Sequence, residues 1–228
     1  QEEVRDPSRI AETLNRVIMQ AKRASAPAQI NVPRDFWTQV IDIELPAIVD
    51  FERPSGGEDA VNEAAALLSK AEFPVLLNGA GVVIGGAIEA STMLAERLDA
   101  PVCCGYQHND AFPGSHPLFA GPLGYNGSKA GMELIAKADV ILALGTRLNP
   151  FSTLPSYGID YWPKDARIIQ VDINADRIGL TKPVSVGIVG DAKKVALSII
   201  DKLDSTAGDT GRNARKELIA KTKSAWAQ

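Results

Sequence analysis

The chain has only two histidines, and both fall in one stretch, as Gln107-His108-Asn109-Asp110 and Ser115-His116-Pro117. An imidazole titrates near neutral pH and suits acid–base work. No Ser-His-Asp order, pair of acids or metal-ligand spacing accompanies them. His108 therefore reads as a structural or interface residue, and His116 as one that orders its loop. The two cysteines, Cys103 and Cys104, are adjacent in an apolar run. Neighbours on a strand face opposite ways, so the spacing predicts neither a mutual disulfide nor a metal site. Two free thiols point to a reducing, cytoplasmic setting.

Anion chemistry has more support. Phe73 to Leu98 opens with the apolar run Val75-Leu76-Leu77, turns through Gly79, Gly81, Gly85 and Gly86, and closes on the helical face Ile88, Ser91, Ala95 and Leu98. Strand, glycine turn and helix make up the opening unit of a nucleotide-binding α/β sheet. Glycines there tolerate φ > 0 and let a phosphate approach the backbone. Two departures weaken a nicotinamide reading: the spacing is one residue longer than the dinucleotide fingerprint, and the acid expected about 20 residues on is missing. The turn either contacts a nucleotide through Gly79 and Gly81 or needs its glycines only for tight packing.

Three further residues sit where strands should end. Arg147, in Gly145-Thr146-Arg147, has a fork that matches phosphate oxygens, or it pairs with a loop carboxylate. Asp172 can accept from a ribose or adenine, or cap the short turn after it. Asp191, in Gly190-Asp191-Ala192, is first of all an N-cap, with ligand contact as the lesser alternative.

The elements that would position these residues follow from periodicity. Residues 6–24 form an amphipathic helix capped by Asp6 with Pro7 in its first turn, and residues 28–32 a strand. One helix and one strand cannot hold a core, so this piece belongs to a neighbouring domain. Residues 33–57 carry Pro33, Pro46, Pro54 and Gly56-Gly57, a surface linker pinned by Phe36, Trp37 and Val40. From Glu58 helices and apolar strands alternate: helices at 58–71, 86–98, 128–137 and 191–203, and strands at 74–79, 101–104, 140–144, 167–172 and 184–189. That alternation predicts an α/β fold, a Rossmann-like parallel sheet with helices on both faces. The connections 105–126 and 146–165 are too long to be simple links and mark functional loops. Residues 204–211 (DSTAGDTG) read as a flexible break, and 212–226 as a mostly polar helix.

The totals set outer limits. With 228 residues and a formal charge of −4, the chain holds one large domain or one domain and part of another. Its lysines are dispersed, which argues against nucleic acid, and no apolar run reaches membrane-spanning length. A first residue that is Gln and not Met leads us to expect a piece of something longer.

Several of these stretches resemble the central domain of thiamine-diphosphate-dependent enzymes of the acetolactate synthase type: PVLLNGAGV (74–82), FPGSHPLFAGPLGYNG (112–127), ADVILALGTR (138–147), IIQVDINADRIG (168–179) and VGDAKKVALSIID (189–201). ASAPAQINVPRD (24–35) is similar to the last strand of that family's pyrimidine-binding domain. The resemblance implies that 1–35 is the end of that domain, 36–57 a linker, 58–203 the central domain, and 204–228 the way into a diphosphate-binding domain. Within the family, CCGYQHNDAFPGSHPL (103–118), LGYNGSKA (123–130) and RLNPFSTLPSYGIDYWPKDA (147–166) resemble a phosphate-dependent acyltransferase. That implies thiamine diphosphate and Mg²⁺ as cofactors, a small-molecule substrate, and a homodimer or homotetramer. It also places the cofactor-activating glutamate before Gln1 and the Mg²⁺–diphosphate signature after Gln228. No catalytic residue and no metal ligand is therefore assigned here, and the chain alone is expected to be inactive. In some relatives the central domain holds ADP or an FAD-like nucleotide and in others it is only a scaffold; on the first reading the resemblance implies Gly79, Gly81, Arg147, Asp172 and Asp191 as cofactor contacts. The alternatives are another enzyme of the same family, or a stand-alone nucleotide-binding or structural module.

Overall fold

A computed structural model describes residues 1–47 and 49–226. Of the expected linker, Ile48 lies outside the described residues, as do Ala227 and Gln228 after the last helix. The chain forms two compact units, Gln1–Glu52 and Arg53–Gln228.

In the first unit, β1 (Glu2–Glu3) pairs in parallel with β2 (Ile30–Asn31), and α1 (Ile10–Ala24) lies between them in sequence. Asp6 accepts a hydrogen bond from the Ser8 amide at 2.9 Å, and a 3-10 turn over Pro7–Arg9 leads into α1. Ser25, at φ 45°, ends the helix in the left-handed region. Val4 and Val17 are buried, whereas Leu14 and Ile18 on the same helix stay half exposed. The linker expectation needs correcting in part: Phe36 is half-buried, but Val40 is 99% exposed, and Trp37 is 77% exposed with one long indole bond to Val32 O at 3.4 Å. Two short strands and one helix offer too little surface to cover them.

The second unit is built on a six-stranded parallel sheet. In chain order it contains α2 (Glu58–Lys70), β3 (Pro74–Asn78), α3 (Ala80–Ile84), α4 (Ile88–Leu98), β4 (Val102–Gly105), β5 (Phe119–Leu123), α5 (Lys129–Ile135), β6 (Val140–Leu144), β7 (Arg167–Asp172), β8 (Val186–Val189), α6 (Ala192–Lys202) and α7 (Arg212–Trp226). The strand order is β5-β4-β3-β6-β7-β8. Every residue of β3, β4 and β6 is buried, as strands covered on both faces must be. Helix α6 packs against α2 and α4, and α5 packs against α7, so each face carries helices. The inward faces follow the 3.6-residue period: Val61, Ala64, Ala65 and Leu68 on α2, and Ala192, Val195, Ala196 and Ile199 on α6.

Three expectations change. The stretch 105–126 contains a strand, β5, at the sheet edge. The glycine turn holds a short helix, α3, before α4 begins. Residues 204–211 are not a loose break: turn bonds run from Ala207 N to Asp204 O, Asp209 N to Thr206 O and Arg212 N to Asp209 O. The physical reason is Arg215. It is 1% exposed, and its guanidinium donates to five carbonyls: Glu72 at 2.6 Å, Leu98 at 2.8 Å, Asp99 at 3.0 Å, Gly208 at 2.6 Å and Thr210 at 2.8 Å.

Candidate functional site

Strand order reverses between β3 and β6, and in open parallel sheets ligands bind beyond the strand ends at such a point. Here the turns after the two strands touch directly. Gly79 N donates to Leu144 O at 3.0 Å, Gly81 N to Gly145 O at 2.8 Å, and Gly145 N to Val171 O at 2.9 Å. A Cβ on Gly79 would lie 2.5 Å from Thr146 Cβ, and one on Gly81 would lie 2.6 Å from Gly145 Cα. Both N–H groups are thus used within the chain, and both glycines allow backbone to meet backbone.

Arg147 follows directly. Its side chain is exposed, and among the described residues no hydrogen bond or ion pair engages its guanidinium. The loop carboxylate considered from the sequence does not meet it. The loop itself is held firmly. Thr146 Oγ1 accepts from Leu148 N at 3.2 Å, Arg147 O accepts from Thr181 Oγ1 at 3.1 Å, and Leu148 sits at φ 53°. Buried Gln170, which the sequence reading did not single out, donates to Thr146 O and Arg177 O, both at 3.1 Å, and accepts from Gly179 N at 2.8 Å. It ties the loops after β6 and β7 together. A polar residue inside IIQVD was the available signal, because a buried amide must find partners.

The two aspartates lie at the neighbouring strand ends. Asp172 is buried, and its Oδ1 accepts from Asn174 N at 2.9 Å, while its carbonyl accepts from Gly190 N at 3.0 Å. Asp191 caps α6: its Oδ1 accepts from Lys193 N at 3.0 Å and Lys194 N at 3.2 Å. Its Oδ2 accepts from Arg53 at 3.0 Å and lies beside Gly85, where a Cβ would stand 3.3 Å away. The structure thus brings Gly79 and Gly81 onto the turn that precedes Arg147. It sets Asp191 against the far end of the glycine turn and leaves Asp172 in a turn of its own.

At the end of β3, buried Asn78 donates through Nδ2 to Ser91 Oγ at 2.8 Å and Ala111 O at 2.9 Å. On the same edge, Tyr106 meets Tyr125 edge-on at 6.5 Å and Phe151 at 6.4 Å, with Tyr125 and Phe151 more than half exposed. Sequence reasoning missed this aromatic cluster, since its members come from three separate loops.

The histidines separate. His108 follows β4, and its Nδ1 lies 3.9 Å from Asp110 Oδ1. His116 stands at the opposite edge of the sheet, just before β5. Its Nδ1 accepts from Leu118 N at 3.2 Å, which leaves Nε2 to donate to Glu96 at 3.2 Å. There it lines a groove of about 480 Å³ with Glu96, Leu118, Lys216 and Ile219. Burial pushes the Cys104 thiol up to about 12 and Cys103 higher still, so neither is a nucleophile at neutral pH. Among the described residues no three His, Cys, Asp or Glu side chains gather as a metal ion would require, and no helix is long and apolar enough to cross a membrane.

Comparison with known proteins fits this architecture. The sequence profile described as "Thiamine pyrophosphate enzyme, central domain" matches residues 61–199. Over all 228 residues the chain is 80% identical to "Sulfoacetaldehyde acetyltransferase" of Roseovarius nubinhibens, and it spans 38% of that relative's length. It is 34% identical to "Probable acetolactate synthase large subunit" of Methanocaldococcus jannaschii, covering 88% of this chain and 35% of that one. The crystal structure of benzoylformate decarboxylase from Polynucleobacter necessarius superposes with a TM-score of 0.76 at 23% identity, over 92% of this chain and 39% of that one, a likeness of fold. The glycine turn, the parallel sheet and the matched span agree: this chain belongs to the thiamine pyrophosphate enzymes, and its Rossmann-like unit is their central domain.

Proposed function

We propose that the chain is part of a sulfoacetaldehyde acetyltransferase, which converts sulfoacetaldehyde and phosphate to acetyl phosphate and sulfite with thiamine diphosphate and Mg²⁺. The observation that carries this is the likeness to the Roseovarius enzyme, which runs through both units and not only through the shared central domain. Bound thiamine diphosphate supplies a nucleophilic carbon for the substrate carbonyl. Among the described residues no cluster of donors would hold a cation, and we assign no thiamine diphosphate or Mg²⁺ contact to any residue of this chain. Its part is architectural: residues 1–35 close a pyrimidine-binding domain, 36–57 link it to the central unit, and 204–228 lead toward a diphosphate-binding domain. A cytoplasmic homodimer or homotetramer belongs to the same proposal.

The test is sulfite release from sulfoacetaldehyde and phosphate, run on the full-length protein and on these 228 residues with both cofactors. The full-length protein should release sulfite and the shorter chain should not. Acetolactate formation from pyruvate without sulfite release would move the full-length protein to the synthases.

One observation favours a second role for the central unit: Arg147 is exposed and, among the described residues, unpaired. We propose it as the first contact of any ADP- or FAD-like ligand, with Gly79, Gly81, Asp172 and Asp191 as its neighbours. Thermal shifts with ADP, FAD, NAD and coenzyme A test this. A shift that Arg147→Ala abolishes supports it, and no shift with any of them leaves the unit a scaffold.

A further inference from the structure

Helix α7 is polar, and only Arg215, Ile219 and Thr222 are buried along its 15 residues. An isolated helix of that length is marginal in water, and Ile219 with half-buried Leu218 gives it a small apolar footing on the core. Its remaining fastenings are polar at the start and both polar and aromatic towards the far end. At the start, Arg215 fills five carbonyls drawn from the end of α4, the turn before β3 and the 208–210 turn. Asp99, the left-handed cap of α4 at φ 48°, is paired with Arg212 at 2.7 Å and Lys216 at 3.0 Å. A Cβ on Gly208 would lie 2.8 Å from the Leu98 backbone, so this turn is seated directly on α4. Towards the far end, Lys223 donates to Pro117 O at 2.7 Å and Trp226 packs on Tyr157 at 5.7 Å. Tyr157 in turn donates its hydroxyl to Gly127 O at 3.0 Å, and it holds φ 55°, a conformation a bulky residue adopts only under constraint.

Arg215 and Lys223 are both fixed where strands begin, Lys223 at Pro117 just before β5, and Trp226 alone reaches the opposite edge. Leu98 and Glu72 precede β4 and β3, whereas Gly127 and Tyr157 stand in loops that follow β5 and β6. Fifteen helical residues span about 22 Å, enough to run the full height of five-residue strands of about 17 Å.

We propose that α7 is a strap that docks and releases as one unit, latched by Arg215 at one edge of the sheet and holding the Gly127 and Tyr157 loops at the ligand-binding edge. Arg215 touches neither loop, so its effect there passes through α7. Releasing the latch removes Trp226 from Tyr157 and with it the support of the Tyr157–Gly127 bond.

Native-state hydrogen exchange on the 228-residue chain tests this. In the unaltered chain, amides of 212–226, 124–128 and 155–159 should share one opening, with the same denaturant dependence, more frequent than the opening that exposes β3 and β6. Separate openings for the two ends of α7, or exchange of α7 only through global unfolding, would overturn the proposal without any variant. Arg215→Met should speed exchange in all three segments by about tenfold or more and leave β3 and β6 within about twofold. Arg215→Lys should act in the same direction, because an ammonium has three donors for five carbonyls. Full protection in the lysine variant, or an equal rise in β3 and β6, would reduce Arg215 to an ordinary stabilising residue.

Discussion

The closest backbone approach at the strand-order switch gives a sharp prediction. In Gly81→Ala the new Cβ would stand 2.6 Å from Gly145 Cα, whereas real Cβ atoms essentially never come within 3.0 Å. The neighbour is main chain, so no rotamer change relieves the contact, and the two turns must separate by about 0.4 Å or more. That separation strains the 2.8 Å bond from Gly81 N to Gly145 O. Overpacking of this kind costs about 1–3 kcal/mol, and losing the bond about 1 kcal/mol more. Alanine in place of glycine inside α3 returns about 1 kcal/mol. The net is a destabilisation of about 2 kcal/mol, or about 4–8 °C in Tm for a chain of this size. Urea unfolding followed by circular dichroism, with the m-value unchanged, measures it. Gly114→Ala is the control: nothing lies within 4 Å of its Cβ, and it should be neutral or stabilise by up to about 1 kcal/mol. A Gly81→Ala loss under about 0.5 kcal/mol, no different from the control, would show that the turns have room between them and that the reasoning from close approach is wrong.

Asp191→Ala should cost about 1–2 kcal/mol through the lost cap on α6, while Asp191→Asn keeps most of that stability; thermal melts of the pair separate capping from the ion pair with Arg53. Arg147→Ala should leave the melting curve within about 0.5 kcal/mol of the parent, because the side chain is exposed and has no partner among the described residues. Iodoacetamide should label neither cysteine at pH 8 without denaturant, and both in urea. Burial raises both thiol pKa values, so their contribution to stability is complete below about pH 8.5 and falls as pH climbs toward 12, which pH-dependent melts can follow. Rapid native labelling would refute the buried placement.

Much of the second unit was legible because its signals are strong. Val140–Leu144 is an unbroken apolar run, Arg167–Asp172 carries Ile168, Ile169 and Val171 between polar residues, and the bounds of both agree with β6 and β7. Strand β5 was not legible. Gly121 and Pro122 stand in the middle of FAGPL, a pattern tolerated in a strand only at an edge, and edge position is a property of the assembled sheet. The segment 204–211 misled for a related reason. Its composition is that of a flexible link, and what holds it is an arginine some residues later whose burial no local pattern announces. At the candidate site, the positions of Arg147, Asp172 and Asp191 at strand ends could be read from the apolar runs before them. Whether Arg147 has a partner could not, because that depends on which loops fold back. The aromatic cluster was hidden likewise: Tyr106, Tyr125 and Phe151 share no spacing.

The outer strands have a consequence for handling the protein. Any open sheet carries two edges that can recruit a strand from another molecule, and long flat edges seed aggregates. Here both are blunted. On one side β5 is five residues long, its register with β4 slips between Val102 and Cys103, and Pro122 removes a donor from the ladder. On the other, β8 is four residues long and Ser55 bridges to Gly190 at its end. Concentrated samples should therefore resist edge-to-edge fibrillation. Thioflavin binding, where it arises at all, should follow loss of β5 or β8 and not precede it.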